Sequence, residues 1–506
     1  MPANLTAPGV YIEEIPSGAR AIIGVSTSVT AFIGRARRGP IDRATRISSP
    51  AELERRFGGL WNQSDLGHVV HHFFQNGGRD AIIVRVDAGS ATATASFPAG
   101  DPFVFRAADA GSWATGMRVT ITPDAGGATF SLQAQLFDAT GREIESEIYY
   151  NLVLTPGAVQ YVGDVLASRS SLLRLQAAPA ALPASAVTGA LAGGGDGTQP
   201  DIGAYSGSVA SRTGLHALDE IDVVNLLCVP FPKATTVIDE TERAGFWSGN
   251  ALPWCQARGA FAVIDAPPSW ASFDAVSTDL ANAAGWMSNL RSAHGAQYFP
   301  DILAPDPLQE NRLRAFPPCG AIAGVIARTD GSRGVWKAPA GLDATLAGAL
   351  DLSLALTDGE QGALNREGVN CLRAFPGLGR VVWGSRSLLG QDRSASEWKY
   401  VPVRRLASYM QQTLLRGTRW AVFEGNDEPL WSQLRLNIGA FMHQLFRRGA
   451  FAGKTPTEAY FVKCNADTTT QADIDAGVVN VIIGFAPVKP AEFVVIKLQQ
   501  IAGQGV

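Results

Sequence analysis

Hydrophobic and polar positions along the chain fall into three textures. Residues 1–20 hold prolines at 2, 8 and 16, and between them Val10-Tyr11-Ile12-Glu13-Glu14-Ile15 is β-prone with no partner nearby in sequence. That predicts an extended arm. From Ala21 the spacing predicts a strand over 29–33, a short helix around 52–57, a helix over 66–75 stopped by Gly77-Gly78, and a strand over 81–86. Such alternation marks an α/β unit. After Asp87 the texture becomes alternating Thr, Ser and Ala with short strands over 118–122 and 130–136, broken by Gly and Asp turns, which reads as a small all-β module. It ends in the low-complexity stretch 177–203, expected to be a flexible connection.

Helix and buried-strand texture then resumes, with β-like runs over 221–229 and 260–264 and a helix over 274–291. The all-β module is therefore read as an insertion, of the kind that decorates a surface. From Phe375 a strand over 380–384, a helix over 403–416, a strand over 420–423 and a helix over 429–448 follow, and strands over 478–485 and 492–498 close the chain. In the last helix Leu430, Leu434, Ile438, Phe441, Met442 and Leu445 form one apolar stripe, begun at Pro429 and stopped at Gly449. The expected fold class is α/β, with α+β core domains, an inserted small all-β outer domain and extended N- and C-terminal arms. The boundaries are 1–20 for the arm, 21–87 with 206–374 for the core, 88–205 for the insertion and 375–506 for a C-terminal α/β domain.

Composition narrows the function. The 506 residues imply two to four domains. A net charge of −4 without any basic block excludes a nucleic-acid-coating protein. Charged residues are 17%, against about 25% in an ordinary soluble chain, so part of the surface is expected to be hidden in an assembly. Five widely spaced cysteines make neither a disulfide framework nor a metal knuckle, and read as buried thiols from a reducing cytoplasm. The first residues lack the basic and apolar regions of a secretory signal, and no apolar run has the ~18 residues a membrane span needs.

Candidate chemistry is weak. Gly449-Ala-Phe-Ala-Gly453-Lys454-Thr455 resembles a phosphate loop, but it has three residues between the glycines instead of four, and Pro456 interrupts the helix that should follow. Gly377-Leu-Gly379 lacks the third glycine of a dinucleotide motif. His68 and His72 have zinc-ligand spacing on a helix but no accompanying carboxylate, so a structural helix is preferred. Arginine outnumbers lysine 35 to 7, which suits interfaces, since guanidinium is planar and weakly hydrated. The pairs Arg404-Arg405 and Arg447-Arg448 flank the two C-terminal helices, as helix-end charges or as contacts to an acidic partner.

The chain resembles the sheath proteins of contractile injection machines: phage tails, tailocins and extracellular injection systems. The likeness is carried by PGVYIEEIPSG near the start, GVSTSVTAFIGRARRGP (24–40), GLHALDEIDVVNLLCVP (214–230), GAIAGVIARTDGSRGVWKAPAG (320–341) and LNREGVNCLRAFPGLGRVVWGSRSL (364–388). RRLASYMQQTL, FEGNDEPLW, TEAYFVKCN and PVKPAEFVV follow in the family's order, and GSWATGMRVTI (111–121) is similar to the outer domain of larger sheath proteins. Gly341 stands where asparagine is expected, and GSRSL departs from the usual G-x-R-T-L.

The resemblance implies a structural subunit without catalytic activity, cofactor or metal. It implies hexameric rings stacked in a helical sleeve around an inner tube protein, in contact with a baseplate and a terminator or cap. It implies assembly in the bacterial cytoplasm into a virion tail or injection particle, with no nucleic acid bound and no direct membrane insertion. Two sets of residues are the candidate sites. Tyr11, Ile12, Glu13, Glu14 and Ile15, with Phe493, Val494, Val495, Ile496, Lys497 and Leu498, would join neighbouring subunits by strand addition. Arg404, Arg405, Arg447 and Arg448, in the domain that the likeness places innermost, would meet acidic residues on the tube. An α/β enzyme, hydrolase-like, with a β insertion and a static baseplate or shell component remain competing readings. The insertion is expected to face outward and to be dispensable for assembly.

Overall fold

The computed structural model describes residues 21–97, 102–138, 140–233, 237–493 and 495. They form two compact units: Ser26–Arg333 with Ala338–Arg404, and the described residues up to Val25, Gly334–Lys337 and those from Arg405 onward.

The first unit opens with β1 (Thr30–Gly34), β2 (Thr45–Ile47) and β3 (Ala81–Arg85). Between β2 and β3 lie the helices Pro50–Phe57 and Leu66–Gln75. Ser49 caps the first of these by accepting the Glu52 amide. The second matches its expected bounds, because Leu66, Val69, Val70 and Phe73 supply a buried stripe at helical spacing.

Residues 88–205 contribute β4 (Thr94–Phe97), β5 (Phe103–Ala107), β6 (Arg118–Pro123), β7 (Phe130–Phe137), β8 (Glu143–Leu152), β9 (Leu173–Ala177) and β10 (Val187–Ala190). They make two sheets, β10-β6-β7-β8 and β4-β5-β9, around their own apolar cluster of Phe103, Phe105, Val119, Ile121, Phe130 and Leu132. The module is not purely β, since the helix Val162–Arg169 packs Val162, Val165 and Leu166 into that cluster. Nor is 177–203 a loose connection. Val187–Ala190 pairs antiparallel with β6, and Leu191 is buried. Small residues there fit a close strand return that low complexity alone does not reveal.

Where the module leaves and rejoins the core, at a neck of residues 88–91 and 195–198, the two segments are bonded to each other: the amides of Ala91 and Gly195 each donate to the other's carbonyl at 2.8 and 3.0 Å, and Thr198 donates to Ala88 at 2.9 Å. Buried arginines close the joint. Arg35 donates to the carbonyls of Asp196 and Gly197, Arg85 to those of Gly39 and Ala110, and Arg38 pairs with Glu145 at 3.0 Å.

The chain then returns with β11 (Leu226–Cys228), β12 (Phe261–Asp265), β13 (Gly295–Phe299), the hairpin β14 (Ile302–Asp306) and β15 (Arg312–Phe316), the helix Cys319–Arg333, β16 (Asp351–Leu352), β17 (Val369–Phe375) and β18 (Gly379–Val382). The main sheet runs β18-β17-β13-β12-β11-β1-β3-β2, with six parallel strands inside and an antiparallel strand at each edge. Its strands are buried on both faces, as parallel sheets require. Phe32, Ile83, Cys228 and Val263 face the helices Leu66–Gln75 and Cys319–Arg333, while Ile33, Val84, Leu227 and Ile264 face the other way. The two helices approach closely because Cys319–Arg333 presents glycines: a Cβ on Gly320 would lie 2.0 Å from the Val69 carbonyl oxygen, and one on Gly324 2.5 Å from that of Phe73.

The helix expected over 274–291 is broken into Phe273–Ala281 and Trp286–Asn289, with Gly285 between them. The boundary expected at 375 lies instead at Arg404/Arg405, because β17 and β18 complete the main sheet. Asn370 on β17 fixes the segment that follows, accepting the Arg386 amide at 2.6 Å and donating to its carbonyl at 2.7 Å.

The second unit is built on the helices Val401–Gly417, from Arg405 onward, and Glu428–Arg447, and on β19 (Tyr460–Lys463) paired with β20 (Ile482–Phe485). The expected stripe Leu430, Leu434, Ile438, Phe441, Met442 and Leu445 is buried in its core. No strand forms over 420–423. A short turn, Arg419–Ala421, leads into Val422 and Phe423, both exposed. Among the described residues no helix is long and apolar enough to cross a membrane.

Candidate assembly interface

Strand edges are the first feature that could join subunits. β19 and β20 form a two-stranded sheet, and among the described residues neither strand is paired on its outer side. Two strands alone offer two rows of backbone donors and acceptors to an added strand. Phe461 and Ile482 are half-exposed on it. Of the residues expected to supply such strands, Tyr11, Ile12, Glu13, Glu14, Ile15, Val494, Ile496, Lys497 and Leu498 lie outside the described residues. Phe493 and Val495 are exposed, 75% and 79%, and belong to no strand of their own chain. β19 went unread in the sequence because four residues, Tyr-Phe-Val-Lys, are too few to display a period.

The arginine pairs divide. Arg447 and Arg448 are exposed at the end of the helix Glu428–Arg447, with Arg448 over the Trp336 ring at 5.1 Å. Arg404 is half-buried and stacks on Trp398 at 4.2 Å, and desolvation holds its pKa below the usual guanidinium range. Arg405 is buried, 5% exposed, so it is not presented to a partner; the helix that carries it turns that position inward. Neither residue ends its helix on the carboxyl side, so the helix-end reading suits only Arg447 and Arg448.

The enzyme-like motifs resolve into structural contacts. In the Gly449–Thr455 loop the Lys454 and Thr455 amides donate to Glu458 at 2.8 and 3.3 Å, as part of a helix cap. His68 meets Asp306 at 3.2 Å, and Arg314 bridges Asp306 and Asp65. His72 packs edge-on against Phe316, and burial lowers its pKa to about 3, which keeps it neutral. Open parallel sheets bind ligands outside the carboxyl ends of the strands where their order reverses. Here that place, beside β1, is filled by Arg35, Arg85, Tyr205, Leu215 and Leu218 from the chain itself.

Past the ends of β12 and β13 lies a cavity of about 370 Å³ lined by Lys233, Trp270, Phe299, Asp301 and Ser353. Lys233 is ion-paired with Asp301. Nearby, Asp265 accepts the Cys319 amide at 2.8 Å, capping the helix Cys319–Arg333 from another strand. Burial raises the Asp265 pKa to about 7, against the lowering pull of the Cys319 side chain and amide and of Lys233. In the unfolded chain it ionises near 3.8, so its contribution to stability is full below about pH 4 and is lost as pH rises to 7. Asp265→Asn is therefore expected to flatten the pH dependence of stability between those values, measured by urea unfolding; an unchanged slope contradicts this assignment.

Comparison with known proteins finds tail sheath proteins. Residues 213–388 match the model of the phage tail sheath protein central domain, and residues 393–501 that of the phage tail sheath C-terminal domain. The tail sheath protein of Vibrio phage KVP40 is 26% identical over 236 residues, 46% of this chain and 32% of that protein. A putative prophage major tail sheath protein of Pseudomonas aeruginosa is 26% identical over 237 residues, 46% of this chain and 56% of that one. The chain thus spans from about a third to somewhat over half of the length of these curated relatives. Among solved structures, the contracted helical sheath of the anti-feeding prophage aligns at TM-score 0.58 and 25% identity over 98% of this chain and 99% of that one. A sheath tail protein of Listeria innocua shares the fold at TM-score 0.62 and 13% identity, over 92% and 96% of the two chains.

Proposed function

The chain belongs to the contractile tail sheath family, and from that premise we propose that it is the structural subunit of a contractile sheath, polymerising helically around an inner tube. The observation that carries this reading is the two-stranded sheet whose outer edges are unpaired among the described residues, in a chain whose terminal segments have β-prone sequence. Strands from neighbouring copies would satisfy those edges, which in an isolated chain are a liability. The work of contraction would come from repacking of rigid units between two lattice states. The relatives favour this reading over an α/β enzyme or a static shell component. Striated tubes or rods in negative-stain images of the purified chain support it, and discrete particles alone contradict it.

The finer assignments follow from the same reading. Residues 88–205 would form an outer domain, held to the core at its neck and facing away from the tube. The second unit would be the inner one, with baseplate, terminator and tube as its partners in a virion tail or injection particle. Arg447 and Arg448 would meet acidic residues on the tube, with Arg404 at most a secondary contact and Arg405 withdrawn because it is buried. Exposed ion pairs contribute at most about 1 kcal/mol each, so a single substitution should be nearly silent. Changing both Arg447 and Arg448 to glutamate is expected to reduce extended, tube-filled particles while contracted sheath still forms. Full-length extended particles from that variant contradict the tube contact.

A further inference from the structure

The first unit holds a pocket of about 210 Å³ between the broken helix Phe273–Ala281 and Trp286–Asn289 and the loop after β18. Leu280, Ala283 and Met287 give it apolar lining, and Arg291, Gln391 and Arg393 supply polar groups. The break between the helices is fixed by Asp279, which accepts the Trp286 amide at 3.0 Å and the Trp270 indole N–H at 3.1 Å. The polar groups are held as well. Gln391 is buried, 3% exposed; its side-chain oxygen accepts the Arg393 Nε–H at 3.1 Å and its amide donates to Glu367 at 3.1 Å. Arg393 pairs with the same Glu367 carboxylate at 3.1 Å.

Arg291 has no such partner. It is exposed, and its guanidinium makes no hydrogen bond or ion pair among the described residues. Desolvation, then the Arg393 charge, holds its pKa below the usual guanidinium range, and only Glu367 pulls the other way. Two guanidiniums against one carboxylate leave the pocket with one positive charge. A single carboxylate balances that charge and can accept from the planar fork of Arg291. A phosphate, at about −1.5 to −2, overshoots it beside Glu367. The volume lies below the roughly 300–1,000 Å³ of sites for drug-sized molecules and suits a side chain. Aspartate and glutamate number 46 against 42 lysines and arginines, so another copy of the chain is a ready source of the acid.

We propose that this pocket binds one carboxylate, that of an aspartate or glutamate side chain of a neighbouring copy. The site stands on the geometry above; the neighbour as its source rests on assembly into a sheath. Met287 lines the pocket and is one of only five methionines, so its methyl resonance, identified by its loss in Met287→Leu, reports the site in the full-length monomer. N-acetyl aspartic acid α-methylamide, which carries a lone side-chain carboxylate, should shift that resonance saturably at constant ionic strength, and the asparagine analogue should not. Arg291→Gln, a change at an exposed position without polar contacts of its own, should weaken the binding on the order of tenfold. The absence of a saturable shift, equal shifts from both probes, or unchanged affinity in the variant overturns the site. Polymerisation tests the source. Arg291→Glu should raise the concentration at which polymers form on the order of tenfold, since it sets a neighbour's acid against a second carboxylate. Unchanged polymerisation of that variant, with the wild-type monomer binding the probe, overturns the neighbour and assigns the site to a free carboxylate. A wild-type chain that forms no polymers contradicts the sheath reading and with it the neighbour, while the titration of the monomer still decides the site.

Discussion

Replacing Arg386 by alanine should lower the stability of the unassembled chain by about 2–5 kcal/mol, because it leaves the buried Asn365 and Gly390 carbonyls without their donor at about 1–3 kcal/mol each, while the half-exposed Asp392 is solvated. Arg386 is fully buried, 0% exposed, and one end of its guanidinium donates to the carbonyls of Asn365 and Gly390 and to Asp392, at 2.8, 3.1 and 2.9 Å. It thereby ties the end of the helix Asp358–Arg366 to the loop after β18, while Asn370 grips its backbone from β17. Lysine in its place keeps the charge but not the planar fork, so Arg386→Lys should recover only part of the loss. Urea unfolding of the monomer measures both variants. A loss under about 1 kcal/mol for alanine, the value of an exposed ion pair, contradicts this role.

Deleting residues 1–18 should abolish polymers and leave a soluble monomer that melts close to the full chain. The packed part of the second unit begins at Ile22, 8% exposed, so the deletion removes nothing from the described core. What it removes is one of the two segments expected to complete a neighbour's sheet at the edges of β19 and β20 that are unpaired among the described residues. Sedimentation separates the outcomes: normal tubes from the deleted chain refute the linker role, and a large fall in melting temperature shows that the segment belongs to its own subunit's core.

How much of this was legible in the sequence depends on how local the determining contacts are. The helix Leu66–Gln75 has one buried stripe and a glycine stop, so its period is visible in ten residues. The helix Cys319–Arg333 has buried residues all round its first turns, with glycines and alanines chosen for close approach to Val69 and Phe73, and no stripe survives to be read. Trp420-Ala421-Val422-Phe423 has the composition of a strand, but its exposure and the left-handed backbone at Phe423 make it a loop, which composition cannot distinguish.

The interface was legible only in part. The helix ends that carry Arg447 and Arg448 followed from the apolar stripe, whereas the burial of Arg405 depends on which face of its helix packs inward. The neck that holds residues 88–205 was invisible, since Arg35, Arg38 and Arg85 find their acceptors at residues up to 162 positions away.

The central claim is that copies of this chain are joined by exchanged strands into a helical sleeve. Helical reconstruction of tubes formed by the purified chain, at a resolution that traces the backbone, tests it most directly. The account predicts a sheet of more than two strands around Tyr460–Lys463 and Ile482–Phe485, with the added strands traced to the terminal segments of neighbouring subunits. Tubes in which this sheet stays two-stranded, and in which both termini fold within their own subunit, would contradict it.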